Sequence, residues 1–384
     1  MSDHSGAGRQ AVNERPPSAV VLAAGEGTRM RSTRPKPLHR LCGRPMVLHV
    51  VDALAELRLQ RVVVVVGHGA DRVTKALLQH SVAPHLVEFV EQHVQRGTGD
   101  AVAVALTGFP DDDDDFDGGD IVVLPGDTPL LRPPTLAALV RAHREAHAAA
   151  TVLTASLADP TGYGRIVRAK DGRVARIVEQ ADATPEQRQI KEVNTGIYAF
   201  RRSVLAPALR RLSPDNVQGE YYLTDIIGVL HDAGYPVTSL VVPDSMEVAG
   251  VNDRAQLAVA EAELRDRINE RWMRRGVTML DPERTYVDTS VSLAPDVTLF
   301  PGTLLQGATV IATGCEIGPN THLVDCLVGE RATVSNSVAT SAEIGAEAVV
   351  GPYATILPGA RVTPGKVTGP GYIGRSDDDE GVGP

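Results

Sequence analysis

The chain has 384 residues, 43% hydrophobic and 22% charged, a composition that suits a soluble globular protein and confines disorder to local segments. Forty-eight acidic against 38 basic residues give a formal net charge of −10, which argues against a nucleic-acid-coating protein but leaves room for small phosphate ligands in a local pocket. Cys42, Cys315 and Cys326 form no CxxC pair, and neither a signal-peptide core nor an uncharged apolar stretch of about 18 residues is present, so the expectation is a reduced, cytoplasmic protein without a membrane partner.

At about 100–200 residues per domain, this length divides into two or three. Residues 1–17 are polar and unpatterned and are expected to be a flexible leader. From Ser18 the texture changes: AVVLAAG, RVVVVVG at 61–67 and IVVLPGD at 121–127 are apolar runs ending near glycine, with helix-like stretches such as VLHVVDALAEL between them. Continuous β-branched runs belong to strands covered on both faces, which predicts a doubly wound, Rossmann-like α/β domain with a parallel sheet over 18–252. The acidic run Asp111–Asp115, continuing to Asp117, reads as a solvated loop. Residues 253–276 hold one long linker helix, free of Gly and Pro until Gly276 stops it. Over 277–374 aliphatic residues recur every six positions, from Val287 through Leu293, Leu299, Leu305, Ile311 and Ile317 to Leu323, and again from Val338 through Ile344, Val350 and Ile356 to Val362. That period, with Gly, Pro, Asn and Asp between, predicts a parallel β-helix of hexapeptide repeats. The acidic tail 375–384 is expected to be disordered.

The most informative segment is LAAGEGTRMRSTRPKPLH, Leu22 to His39, directly after the first strand. Gly25 and Gly27 let the backbone turn tightly and bring N–H groups against phosphate oxygens, while Arg29 and Lys36 supply positive charge. The GKS/GKT of a P-loop and the GxGxxG of a dinucleotide fold are both missing, which removes the main support for hydride transfer. A lone Gly-x-Gly is as readily a plain turn with surface charges beside it. Asp127, in LPGDTPLL, falls beyond the carboxyl end of the third strand, where open α/β sheets place ligand-binding residues; a turn-forming Asp is the alternative there.

The segments LAAGEGTRM, PKPLH, EQHVQRGTG, GDTPLL, DPTGYGRI, VEQADA, NTGIY, QGEYYLTDII and EVAGVN follow one another from Leu22 to Asn252. In these motifs the chain closely resembles the bacterial N-acetylglucosamine-1-phosphate uridylyltransferases, normally fused to a left-handed β-helix that carries glucosamine-1-phosphate acetyltransferase activity. The resemblance implies a Mg²⁺-dependent enzyme that joins a nucleoside triphosphate, UTP in this family, to a sugar 1-phosphate and releases pyrophosphate. It makes Asp127 and Asn252 the metal ligands, although Asn252 alone would serve equally well as a helix N-cap. It puts Leu22, Ala23, Ala24, Gly25, Gly27, Gln92, Gly97 and Thr98 on the nucleotide, with Gln92 reading the base, and Gly164, Glu179, Asn194, Tyr222 and Thr224 on the sugar. Arg29 then lies on the pyrophosphate side and Lys36 near the α-phosphate, which the sugar-phosphate oxygen attacks. Another sugar or cyclitol phosphate, or another nucleotide, stays open as the substrate.

The likeness weakens toward the C-terminus. Where the family has a basic RLRPG segment this chain has Thr355–Gly359, and Gly-rich sequence with an acidic tail follows. The only repeat-region histidine is His322. The expectation is a β-helix without acetyltransferase activity, serving to hold a homo-oligomer, a trimer in this family.

Overall fold

The computed structural model describes residues 15–81, 84–109 and 119–376; the acidic run 111–117, most of the leader and the last eight residues fall outside the described residues. Within them the chain divides into two units, one over residues up to 39 together with 46–253, the other over 40–45 together with 254 onward.

In the first unit β-branched runs become strands because such side chains lose χ1 freedom in a helix and pack well on a pleated surface. The strands are β1 (Ser18–Ala23), β2 (Val62–Val66), β3 (Val87–Glu91), β4 (Asp120–Pro125), β5 (Ala150–Ser156), β6 (Arg165–Arg168), β7 (Val174–Val178), β8 (Glu192–Arg201) and β9 (Val237–Val241). Their order in the sheet is β9-β5-β8-β4-β1-β2-β3, and β6 and β7 form a hairpin attached to β8. β4, β1, β2 and β3 are parallel, with Val21 level with Val64 and Leu124.

Alternate residues of these strands point to opposite faces. Val21, Val62 and Leu124 enter the core beneath α1 (Met46–Leu54), α2 (Ala70–His80) and α4 (Pro133–Glu145). Val20, Val63 and Val123 enter the core beneath α3 (Thr98–Leu106), α5 (Arg202–Leu209) and α6 (Asp225–Asp232). A fully buried Val contributes roughly 1.5–3 kcal/mol, so a sheet covered on both faces makes every strand position count.

The expected doubly wound fold is present, but the sheet is mixed. β8 runs antiparallel to both β4 and β5, Tyr198 pairing with Val123 and Val152. Parallel neighbours need a crossover, usually helical, whereas the residues between β5 and β8 form the β6–β7 hairpin, so the chain returns in the opposite direction. The end of the leader is also held: the Pro17 carbonyl accepts from Gln60 N–H at 2.9 Å and the Arg15 carbonyl from Arg144 at 2.7 Å.

The second unit contains a small hairpin that sequence reading places in the first domain. Arg40–Leu41 pairs with Arg44–Pro45 about Cys42 and Gly43, both in the left-handed region. Cys42 N–H donates to Glu261 Oε2 at 2.8 Å, and burial, reinforced by that carboxylate, pushes its thiol pKa far up. Glu261 lies on α7 (Arg254–Met273), the long helix, whose Ile268 and Trp272 are buried in this unit's core. Gly276, at φ 92°, follows the helix end.

Beyond α7, sheets of five, six and five short parallel strands form a left-handed β-helix. Leu305 stacks between Val287 and Leu323, and Leu299 between Met279 and Ile317. Buried Thr303 donates to the Phe300 carbonyl at 2.7 Å and Thr309 to that of Gln306 at 2.7 Å, so the polar corner side chains are satisfied locally.

One sequence expectation is corrected here. Val338 is 45% exposed and its neighbour Ala339, at 1%, takes the inward position. The inward series runs Leu323, Val328, Val334, Ala339, Ile344, with three steps of five residues among the sixes, because these coils are one or two residues shorter than the 18 that separate Leu305 from Leu323. Side chains alternate along a strand, so a one-residue slip turns Val338 outward. Cys315 and Cys326 are buried and free, and on the outer face His322 shares a hydrogen bond of 2.8 Å with Gln306 Oε1.

Candidate active site

The carboxyl ends of β1, β3 and β4 face a cleft of about 320 Å³. One wall is the turn after β1, Leu22 to Gly25. A second is Gln92 with Gly97 and Thr98, between β3 and α3. A third is Pro125, Gly126 and Asp127 at the end of β4, and Lys36 closes a side. Nine sequence-predicted nucleotide, catalytic and metal residues thus line one space.

Two glycines are required by geometry. Gly27 has φ 65°, and a Cβ there would lie 2.5 Å from Lys36 Cβ, so the loop folds back onto the lysine only with no side chain at 27. Gly97 has φ 111°, and a Cβ would lie 2.6 Å from the Tyr221 carbonyl. Gly99 N–H donates to that same carbonyl at 2.8 Å, which ties the start of α3 to the segment before α6.

Four polar residues meet at the cleft's edge. Lys36 Nζ donates to Asp127 Oδ2 and, at 2.8 Å, to Asn252 Oδ1. Arg29 donates to the same Asn252 oxygen at 3.0 Å. The Val251 N–H donates to the Asp127 carbonyl at 2.8 Å, fixing the two oxygen donors relative to each other. Two hard oxygens thereby converge on one point of positive charge, the donor set expected of a Mg²⁺-type site that takes one or two protein oxygens and leaves the rest to water and phosphate.

The residues assigned to the sugar form a second group. Thr224 donates to Glu179 Oε1 at 3.0 Å, and the Glu179 carboxylate oxygens lie 3.4 Å from where a Gly164 Cβ would stand. The Asn194 N–H donates to the Gly164 carbonyl at 2.8 Å, next to a bulge in β8 between Asn194 and Tyr198. Burial raises the Glu179 pKa, with Asp225 and Asp182 adding to the shift and the Thr224 hydrogen bond opposing it. Tyr222 donates to Gln218 at 2.9 Å, and burial and surrounding carboxylates push its hydroxyl up to about 12. None of these five lines the cleft at the strand ends.

Other residues at these sites went unread in the sequence. Gln95 also lines the cleft and donates to the Ala24 carbonyl at 2.7 Å. Asp100 accepts from Gln92 at 2.7 Å. Tyr163 hydrogen-bonds the Gly250 backbone, and its pKa is raised by burial and by the charge of Asp127. Buried Tyr198 is bonded to the Asn194 side chain. DPTGYGRI and NTGIY contain both tyrosines, but only the fold reveals which atoms they reach.

The nucleotidyl transferase family matches residues 18–273, the stretch that holds the doubly wound sheet and its cleft, and the chain is a nucleotidyltransferase. More particularly, the chain belongs to the family of the bifunctional protein GlmU, the family its motifs resemble. It is 50% identical to that of Thermobifida fusca over 86% of this chain and 67% of the relative. It is 46% identical to that of Halalkalibacterium halodurans over 85% of this chain and 69% of the relative, and 48% identical to that of Streptomyces coelicolor over 86% and 67%. Relatives named bifunctional lend no support to the expected lack of acetyltransferase activity. Among the described residues no helix is long and apolar enough to cross a membrane.

Proposed function

We propose that this nucleotidyltransferase joins UTP to N-acetylglucosamine 1-phosphate and releases pyrophosphate. The observation that carries the reading is the convergence of Arg29, Lys36, Asp127 and Asn252 at the edge of the cleft that Gln92 and Gly97 line. Transfer between two phosphate anions asks for charge neutralisation and in-line placement more than for proton transfer, and this cluster provides fixed positive charge beside hard oxygens. Asp127 and Asn252 would hold Mg²⁺, which when bound supplies further positive charge to the triphosphate. Lys36 and Arg29 exchange their side-chain oxygen partners for phosphate oxygens, Lys36 at the α-phosphate and Arg29 on the pyrophosphate side. Leu22 to Gly25 follow the ribose and phosphates with backbone, and Gly97 and Thr98 approach the base.

Glu179, Asn194 and Thr224, with Gly164 and Tyr222, offer carboxylate, amide and hydroxyl groups to sugar hydroxyls and an acetamido group, each of which can donate and accept. The family resemblance also supports a homotrimer built through the β-helix, and half-exposed Val310 and Leu327, adjacent on one of its faces, offer apolar surface for such an assembly. The test is pyrophosphate release with Mg²⁺, using UTP, dTTP, GTP, ATP and CTP against N-acetylglucosamine 1-phosphate, glucose 1-phosphate and glucosamine 1-phosphate. Preference for UTP with N-acetylglucosamine 1-phosphate supports the reading; silence with every hexose phosphate rejects this acceptor.

A further inference from the structure

Gln92 is buried, 6% exposed, and its backbone N–H is anchored on the Val66 carbonyl at 2.9 Å. Its side-chain nitrogen faces two groups, Asp100 Oδ2 at 2.7 Å and the Gly97 carbonyl at 3.3 Å. Carboxylate and carbonyl oxygens only accept, so the amide end that faces them is the NH₂, and both of its hydrogens are used there. The carbonyl end of the amide is therefore the end left for a ligand in the cleft that Gln92 lines.

We propose that Asp100 is a positioning residue for nucleotide selection: it locks Gln92 as a pure acceptor, so that the cleft takes a base whose ring nitrogen carries hydrogen. This rests on the assignment of Gln92 to the base. Uracil presents N3–H to such an acceptor. Cytosine presents a lone pair at N3, and two facing lone pairs leave a buried acceptor unpaired, the kind of mismatch that discriminates strongly. The carboxylate matters because it cannot reverse. An amide at the same place could turn its own NH₂ toward Gln92 and let Gln92 flip, presenting a donor to the base.

A purely structural role is available to Asp100, since an acid in the first turn of α3 favours the positive end of the helix dipole. The two roles separate by readout. Loss of a dipole partner lowers stability and leaves the choice of base alone, whereas loss of the lock changes that choice.

The experiment measures dissociation constants for UTP and CTP by calorimetry, without sugar phosphate, on the wild type and on Asp100→Asn, Asp100→Ala, Gln92→Ala and the Gln92→Ala/Asp100→Asn double variant. The wild type is expected to favour UTP, and Asp100→Asn and Asp100→Ala to reduce the UTP-to-CTP ratio about tenfold or more, chiefly by weakening UTP. On the Gln92→Ala background Asp100→Asn should leave the ratio unchanged, because Asp100 acts only through that amide. An unchanged ratio in both single Asp100 variants, an equal loss for both nucleotides, or a wild type without UTP preference overturns the proposal. Binding needs no acceptor, so a chain that favours UTP but transfers it to none of the three hexose phosphates would reject the acceptor proposed above and leave this inference standing.

Discussion

The two units answer opposite design problems. In the nucleotidyltransferase unit the candidate site is drawn from segments far apart in sequence: Lys36, Asp127 and Asn252 meet although 91 and 216 residues separate Lys36 from the other two. In the β-helix the same short solution repeats, with Leu305 resting on Leu323 and Thr309 satisfying its own turn. The first unit gathers its candidate site from a few side chains at a cleft, and the second spreads its stability over many repeated interior side chains. A substitution at the cleft of the first unit should therefore cost activity, and one in the coil interior of the second should cost stability.

The sharpest test of that division is Asp127→Ala, for which we expect turnover to fall about 10²–10³-fold, in the range seen when one preorganised electrostatic group is removed from an active site. Thermal unfolding should change little, since the side chain is at the rim of a cleft. Full activity in Asp127→Ala would sink the metal assignment, and a collapse of the fold would sink the division. The converse is Leu305→Ala. Leu305 is fully buried in the coil interior, and truncating it should cost about 2–5 kcal/mol in unfolding measurements while kcat/KM stays within about twofold. A large loss of kcat/KM in a folded Leu305→Ala protein would show that the β-helix reaches into the chemistry.

Glu179 blurs the boundary, being both buried and polar. Its pKa is raised in the folded chain, chiefly by burial, so between the ordinary carboxylate value and that raised value the folded protein binds more protons than the unfolded one. Stability contributed at this site is thus present at low pH and lost as pH rises through the window. Glu179→Gln keeps an oxygen for Thr224 and removes the charge. At neutral pH it should be at least as stable as the wild type, with the difference vanishing on acidification, while kcat/KM for the sugar phosphate falls about three- to tenfold for one altered hydrogen bond. A variant less stable than the wild type at pH 7 would contradict the direction of the shift.

What the sequence made legible follows from the same division. Strand ends and glycine turns are local, so the loop Leu22–Gly27, Lys36 and Asp127 could be read in place, and nine of the predicted residues line one cleft. Orientation is not local. That Gln92 turns its NH₂ toward Asp100, or that Tyr198 reaches Asn194, depends on how α3 and β8 sit, which no motif states. The reversal of β8 was equally hidden, because Glu192–Arg201 is apolar enough to be a central strand in either direction. Likewise nothing in Arg40–Pro45 announces that this hairpin packs with α7 through Cys42 and Glu261.

The β-helix shows the limit of periodicity itself. A six-residue count places Val338 inside, and by composition alone Val338 is the better core residue than Ala339. The structure puts Ala339 inside because the short coils around it leave a strand one residue out of step, and because a narrow interior between Leu323 and Ile356 has room for a small side chain. The smallest expected effect follows from this register: Val338→Thr should change stability by under about 0.5 kcal/mol, as for most exposed positions. Ala339→Thr at the adjacent, buried position would put a hydroxyl and extra volume into the stack and should cost about 1–3 kcal/mol. If unfolding measurements found the two costs reversed, the hexapeptide count would be right through this coil and the one-residue slip wrong.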